Sequence, residues 1–186
     1  MTIYLLDKFD SFTYNLKHYI DKLGHDVIIE RNDDVNWGLI ETADAIVLSP
    51  GPGLPKDAGK MMEVIEKFVS SKKMLGVCLG HQALGEYFGG RLYNMKEVMH
   101  GKEIEVEHTS NSIFSGIQSP QKVGLYHSWA VEINNTKRRE GASWKDTAMA
   151  FQHKDLPVFG VQFHPESILT QDGLKIISNL LNNTSN

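Results

Sequence analysis

Apolar runs and amphipathic stretches alternate through the N-terminal half of this chain, and that alternation limits the fold more than any other feature. TIYLLD, DVIIE, DAIVLS and KMLGV are short runs bounded by polar or turn residues. Runs of this length read as strands, and apolar residues on both faces read as strands covered above and below. Between them, FTYNLKHYIDKL repeats Phe12, Leu16, Tyr19, Ile20 and Leu23 at helical spacing, with Asp10 or Ser11 to cap its start and Gly24 to close it. A second helix is predicted over 58–71, with Met62, Ile65, Phe68 and Val69 on one side. Strands and helices in this order build a parallel sheet flanked by helices.

The second half changes character. KEIEVEH alternates charged and apolar residues, as a half-exposed strand does, and VGLYHS, WAVEI, TAMAFQH and LPVFGVQF follow as further strands. A last helix, DGLKIISNLL, carries Leu174, Ile177, Leu180 and Leu181 on a stripe, and the tail NNTSN is expected to fray. The expected architecture is one α/β domain over 1–186: a largely parallel central sheet flanked by helices, with additional antiparallel strands. A chain of 186 residues can bury a substantial core in one such domain. Its net charge of −4 gives no reason to expect nucleic acid or an anionic membrane as partner. No apolar run approaches a membrane span. A single cysteine forms no intrachain disulfide, and the charges at Asp7 and Lys8 come too early for a signal-peptide core, so the cytoplasm is the expected location.

That cysteine, Cys78, stands in MLGVCLGHQALG (74–85) between a predicted strand and a predicted helix, with Gly76 and Gly80 two residues to either side. G-x-C-x-G at such a turn has the shape of a nucleophile elbow. At a helix N-terminus the macrodipole and unpaired amides favour a thiolate, and the amide of Leu79 would meet a developing oxyanion. Alone, the pattern leaves two readings balanced: a nucleophile, or a small buried filler at a tight turn. Two other stretches bear on the choice. In VQFHPES, His164 ends a predicted strand and Glu166 lies two residues on, which puts both on one side of an extended chain. Glu166 would then hold the imidazole in one tautomer. LSPGPGLP (48–55) follows the strand DAIVLS, at the carboxyl end where open parallel sheets form their crevices. It would supply a second oxyanion amide or orient a substrate, or be a plain connection. Neither a phosphate-binding glycine motif nor a metal-binding cluster accompanies these stretches, so no cofactor and no metal are expected.

Taken together, SPGPG, GVCLGHQ and QFHPES resemble class I, triad-type glutamine amidotransferases. DKFDSFTYN (7–15), VMHGK (98–102) and YHS (126–128) resemble, more narrowly, the small glutaminase subunits of anthranilate synthase and aminodeoxychorismate (para-aminobenzoate) synthase. The resemblance covers essentially the whole chain. It implies Cys78 as nucleophile, His164 as base and later acid, and Glu166 as orienting carboxylate. It also implies an oxyanion hole from the amides of Gly53 and Leu79, and a glutamine pocket from Gly51, Pro52, Gly53, Gln82, Ser128 and Trp129. Trp129 stands where the family often has an aliphatic residue, and Lys8 where its first motif often has asparagine. The implied reaction is hydrolysis of L-glutamine to glutamate and ammonia. The glutaminase fills the chain, so the ammonia acceptor is expected on a larger chorismate-binding synthase subunit, met through DSFTYN, VMHGK and the segment near Trp129. Two other readings stand beside this one: a γ-glutamyl hydrolase or cysteine peptidase with the same triad, and a noncatalytic interaction subunit.

Overall fold

The computed structural model describes residues 1–110, 112–132, 138–144 and 147–182. The four N-terminal apolar runs are strands β1 (Thr2–Asp7), β2 (Asp26–Arg31), β3 (Ala45–Leu48) and β4 (Lys73–Val77). Strands β5 (Arg91–His108), β6 (Gln121–Glu132), β7 (Arg138–Trp144), β8 (Thr147–His153) and β9 (Val158–Val161) extend the same sheet. The order across it is β2-β1-β3-β4-β9-β8-β7-β5-β6. β2, β1, β3, β4 and β9 pair in parallel, and from β9 outward every pairing is antiparallel. The expected mixed α/β architecture is therefore the observed one.

The helices are α1 (Thr13–Lys22), α2 (Trp37–Thr42), α3 (Met61–Phe68), α4 (Leu79–Tyr87) and α5 (Gly173–Asn182). Strand alternation sorts the core into two layers. Ile3 and Leu5 of β1 join Leu16 and Ile20 of α1 and Ile177 and Leu180 of α5 on one face. Tyr4 and Leu6 join Ile40 of α2, Val64 and Phe68 of α3, and Ala83 and Leu84 of α4 on the other. Among the described residues no helix is long and apolar enough to cross a membrane.

Several sequence expectations are corrected. Neither Asp10 nor Ser11 caps α1. Phe12 occupies the cap without a side-chain bond, and the Asp10 carboxylate accepts from the Phe12 N–H at 2.7 Å. The reason is Asp7, which gathers the loop by accepting from Asp10 N (3.2 Å) and Thr13 Oγ1 (2.6 Å). The helix predicted over 58–71 is shorter, because Gly59 turns through φ 53° where a Cβ would meet the Asn32 carbonyl at 2.6 Å. VGLYHS and WAVEI are one strand, β6, and KEIEVEH is the second half of β5, which pairs with β6 across two bulges. In α5 the buried stripe takes Ile176 rather than Leu174. Strand β7 and helix α2 were not expected. Ile133 of WAVEI and residues 183–186 of the tail lie outside the described residues.

Candidate active site

The chain passes from β4 to α4 through one residue, Cys78, at φ 51° and ψ −98°. A side chain rarely occupies positive φ, and such strain persists only where the surroundings enforce it. Here they do: the Cys78 N–H donates to the Val161 carbonyl at 2.9 Å, and its own carbonyl accepts from Gln82 N at 3.0 Å. The flanking glycines are a steric requirement. A Cβ on Gly76 would lie 2.4 Å from the Gly80 carbonyl, and one on Gly80 would lie 2.4 Å from the Leu48 carbonyl oxygen. The first turn of α4 thus rests directly on β3 and β4, with the buried Cys78 at its N-terminus.

β9 lies beside β4, with Val77 opposite Val161, and His164 follows three residues beyond its end. His164 Nδ1 donates to Glu166 Oε1 at 2.7 Å, and both side chains are buried. The two meet as expected, but not along an extended chain: residues 164–167 form a turn closed by Ser167 N donating to the His164 carbonyl at 3.1 Å. Phe12 and Tyr126 flank the imidazole, with ring centroids at 5.0 and 4.9 Å. Nε2 is the ring nitrogen not engaged by Glu166. Burial works against an imidazolium there, but a Cys78 thiolate and the Glu166 carboxylate outweigh it and raise the His164 pKa from 6.5 to about 10. His127 shows the opposite balance: burial lowers its pKa to about 4, although Nδ1 lies 2.8 Å from the Trp129 carbonyl.

A cleft of about 140 Å³ opens on Cys78 and is lined by Gly51, Pro52, Gly53, Leu79, Gln82 and residues 126–129. Every residue the sequence suggested for the oxyanion hole and the glutamine pocket, Ser128 and Trp129 included, lies in this one wall. The volume is below that of a drug-sized site and suits one small molecule. Gln82 Nε2 donates to the Trp129 carbonyl at 2.7 Å and to Gln162 Oε1 at 3.2 Å. Gln162 Nε2 in turn donates to Cys78 Sγ at 3.7 Å. The sequence reading passed over Gln162; the available signal was a lone amide inside the apolar run VFGVQF, immediately before H-P-E.

A second cavity, of about 450 Å³, also reaches Cys78 and His164, and its other walls are Phe9, Asp10, Ser11, Phe12, residues 50–52, His100 and Tyr126. The DKFDSFTYN and VMHGK stretches meet here. Lys8 binds the two loops together: its backbone N–H donates to Ser49 Oγ at 2.9 Å, and a Cβ on Gly51 would lie 2.4 Å from Lys8 Cγ.

A strained cysteine at one strand end and a buried histidine–glutamate pair beyond the neighbouring strand define an α/β protein with a cysteine on a sharp strand-to-helix elbow. The chain belongs to the class-I glutamine amidotransferase family, whose model matches residues 4–184. It is 42% identical to anthranilate synthase component 2 of Pseudomonas aeruginosa, over 95% of this chain and 93% of that one. It is 38% identical to the aminodeoxychorismate/anthranilate synthase component 2 of Bacillus subtilis, over 96% and 95%. It is 41% identical to the bifunctional protein TrpGD of Thermotoga maritima over 97% of this chain but 32% of the relative, so it spans about a third of that protein. A crystal structure of a Thermoplasma acidophilum protein assigned to GMP synthase superposes with a TM-score of 0.88 at 27% identity, covering 97% of this chain and 92% of that one.

Proposed function

We propose that this chain, as one domain over 1–186, is the glutaminase component of a cytoplasmic two-component synthase. It hydrolyses L-glutamine and delivers the ammonia to a larger chorismate-binding subunit. The observation that carries the chemistry is the strained Cys78 at the start of α4, sharing a cavity with His164, which is hydrogen-bonded to Glu166. The relatives' names, component 2 of anthranilate and aminodeoxychorismate synthases, support the acceptor and the partner.

Cys78 thiolate attacks the side-chain amide carbon of glutamine, and the oxyanion forms against the amides of Leu79 and Gly53. His164 gives its proton to the departing nitrogen, leaving a γ-glutamyl thioester and ammonia. A water then loses a proton to His164 as it attacks the thioester, releasing glutamate and restoring the sulfur. Glu166 keeps the Nδ1 proton in place, so Nε2 alone exchanges protons. Losing one oxyanion donor raises such a barrier by about 3–4 kcal/mol, which gives the rigid SPGPG loop and its Lys8 support a chemical purpose. Both N–H groups of Gln82 are committed within the protein, so it offers the substrate an acceptor, Oε1, suited to an ammonium or amide N–H.

Ammonia released into water is protonated and lost to the acceptor. The partner therefore covers the mouth of the second cavity, where Phe9 is 49% exposed; Val98, two residues before His100, and Ile168, four after His164, are 61% and 96% exposed. The test is Cys78→Ala in the copurified complex: glutamine-dependent product disappears while ammonia-dependent product remains. Unchanged glutamine use sinks the proposal in favour of a noncatalytic subunit, and peptide or polyglutamyl cleavage without glutamine turnover favours a hydrolase. The subunit that copurifies decides between anthranilate and aminodeoxychorismate as product.

A further inference from the structure

We propose that Gln162 is a catalytic hydrogen-bond donor to the Cys78 sulfur, locked in that polarity by a one-way amide chain anchored at the Trp129 carbonyl. The inference rests on Cys78 being the nucleophile, and extends that reading to the group that stabilises its attacking form.

A glutamine side chain has an accepting end and a donating end, and half a turn of the amide exchanges them. What fixes the direction here is the end of the chain. The Trp129 carbonyl only accepts, and it sits 2.7 Å from Gln82 Nε2 and 2.8 Å from His127 Nδ1. Gln82 must therefore turn its NH₂ group toward Trp129. The second N–H of that group reaches Gln162 Oε1 at 3.2 Å. Gln162 accepts there, which leaves its own NH₂ facing Cys78 Sγ at 3.7 Å. Turning Gln162 alone would set two donors against each other and an acceptor against the sulfur. Turning both would set Gln82 Oε1 against the Trp129 carbonyl. Gln162 and Gln82 are 0% and 3% exposed, so water does not make good a mismatched bond.

A sulfur that always faces an N–H is better matched as thiolate than as thiol, because an ionised acceptor makes the stronger bond. The other titratable groups around it are His164, backed by Glu166, His127 beyond the Trp129 carbonyl, and Asp10, His100 and Tyr126 in the walls of the second cavity. His127 stays neutral at physiological pH, with its Nδ1–H on that carbonyl, and so helps to hold the anchor. The donor from Gln162 acts at the sulfur whether or not His164 carries a proton, so the two contributions are separable.

Cys78 is the only cysteine, so alkylation reports on it alone. The rate of iodoacetamide modification is measured against pH for the full chain and for Gln162→Met, Gln162→Glu and Gln82→Met, with folding checked by circular dichroism. In Gln162→Met the rate at neutral pH falls about tenfold, the worth of one hydrogen bond to a charged group. The rates converge at alkaline pH, where the sulfur is ionised in every variant. Gln162→Glu falls further, since it sets a carboxylate against the sulfur. Gln82→Met falls less, in the same direction, because Gln162 loses its orienting partner. A residue that served only packing would change the melting temperature and leave the shape of the profile alone. A folded Gln162→Met, or Gln82→Met should that variant not fold, whose profile superimposes on the parent overturns the proposal. The assay contains no glutamine, so its outcome is distinguishable from failure of the glutaminase reading, which Cys78→Ala tests separately.

Discussion

Gly80→Ala sets two effects of opposite sign against each other. In an ordinary helix interior the change is favourable by about 1 kcal/mol, because alanine loses less backbone freedom. At this position the added Cβ would lie 2.4 Å from the Leu48 carbonyl oxygen and 2.7 Å from Leu48 Cβ, where ordinary contact begins at 3.4 Å. The site is therefore short of room by about 1 Å, and the obstacle is strand backbone rather than a flexible side chain. Forcing a methyl into a packed interior costs about 1–3 kcal/mol, with rigid surroundings toward the upper end. The expected balance is a loss of about 2 kcal/mol, or a melting temperature lower by roughly 4–8 °C in a chain of this size. Relief requires α4 to lift from β3, carrying Leu79 and Cys78 with it. A displacement of about 1 Å at a reacting group lowers turnover roughly a hundredfold. Thermal denaturation and kcat/KM for glutamine in the partner complex measure the two effects. A raised melting temperature with parental kcat/KM would refute the steric account of the elbow.

The alkaline limb of stability should follow His164. Its folded pKa is raised from 6.5 to about 10, so the stability it contributes is complete below 6.5 and is lost as pH climbs to about 10. The melting temperature falls across that interval in the parent and falls less in Cys78→Ala, which lacks the sulfur charge; equal slopes would contradict it. Glu166→Gln keeps an acceptor for Nδ1 but removes the charge, and should lower kcat by roughly ten- to a hundredfold; an unchanged kcat in the partner complex would deny the carboxylate its role. Tyr4→Phe removes the buried bond to Glu30 Oε2 (2.6 Å), a carboxylate oxygen that also accepts from Asn36 N at 2.8 Å. Burial and that neighbour push the phenol above its ordinary pKa of 10. Urea denaturation should show a loss of about 1–2 kcal/mol, and no loss would mean the bond contributes nothing net.

The parallel half of the sheet was readable from the sequence because burial on both faces writes itself as continuous apolar runs. TAMAFQH was recovered to the residue as β8 for the same reason. The antiparallel half was less readable. β7, RREGASW, has no alternation to find, and β5 bends through bulges that break its period. VGLYHS and WAVEI looked like separate strands because the polar His127 and Ser128, which line the cleft, interrupt the apolar pattern in the middle of β6. Of the site, the residues on turns were visible through their glycines, and His164 with Glu166 through their spacing. Gln162 was not, since its significance lies in which way an amide points, and only its neighbours in space determine that.

The placement of β9 beside β4 has a consequence for how this molecule can change. Cys78 and Gln162 are 84 residues apart in sequence, yet each stands one residue past the end of neighbouring strands joined by a ladder of main-chain bonds. The interval between sulfur and imidazole is set by that ladder together with β6, whose Gly124 carbonyl accepts from His164 N at 3.0 Å. Of the strands in between, β6 returns to the site through Gly124 and residues 126–129, and β8 pairs with β9. The freedom to lengthen, bulge or be redecorated therefore belongs to β7 and to the parts of β5 away from the cleft. Those stretches can accordingly be rebuilt for a new neighbour while the machinery that frees the nitrogen keeps its calibration.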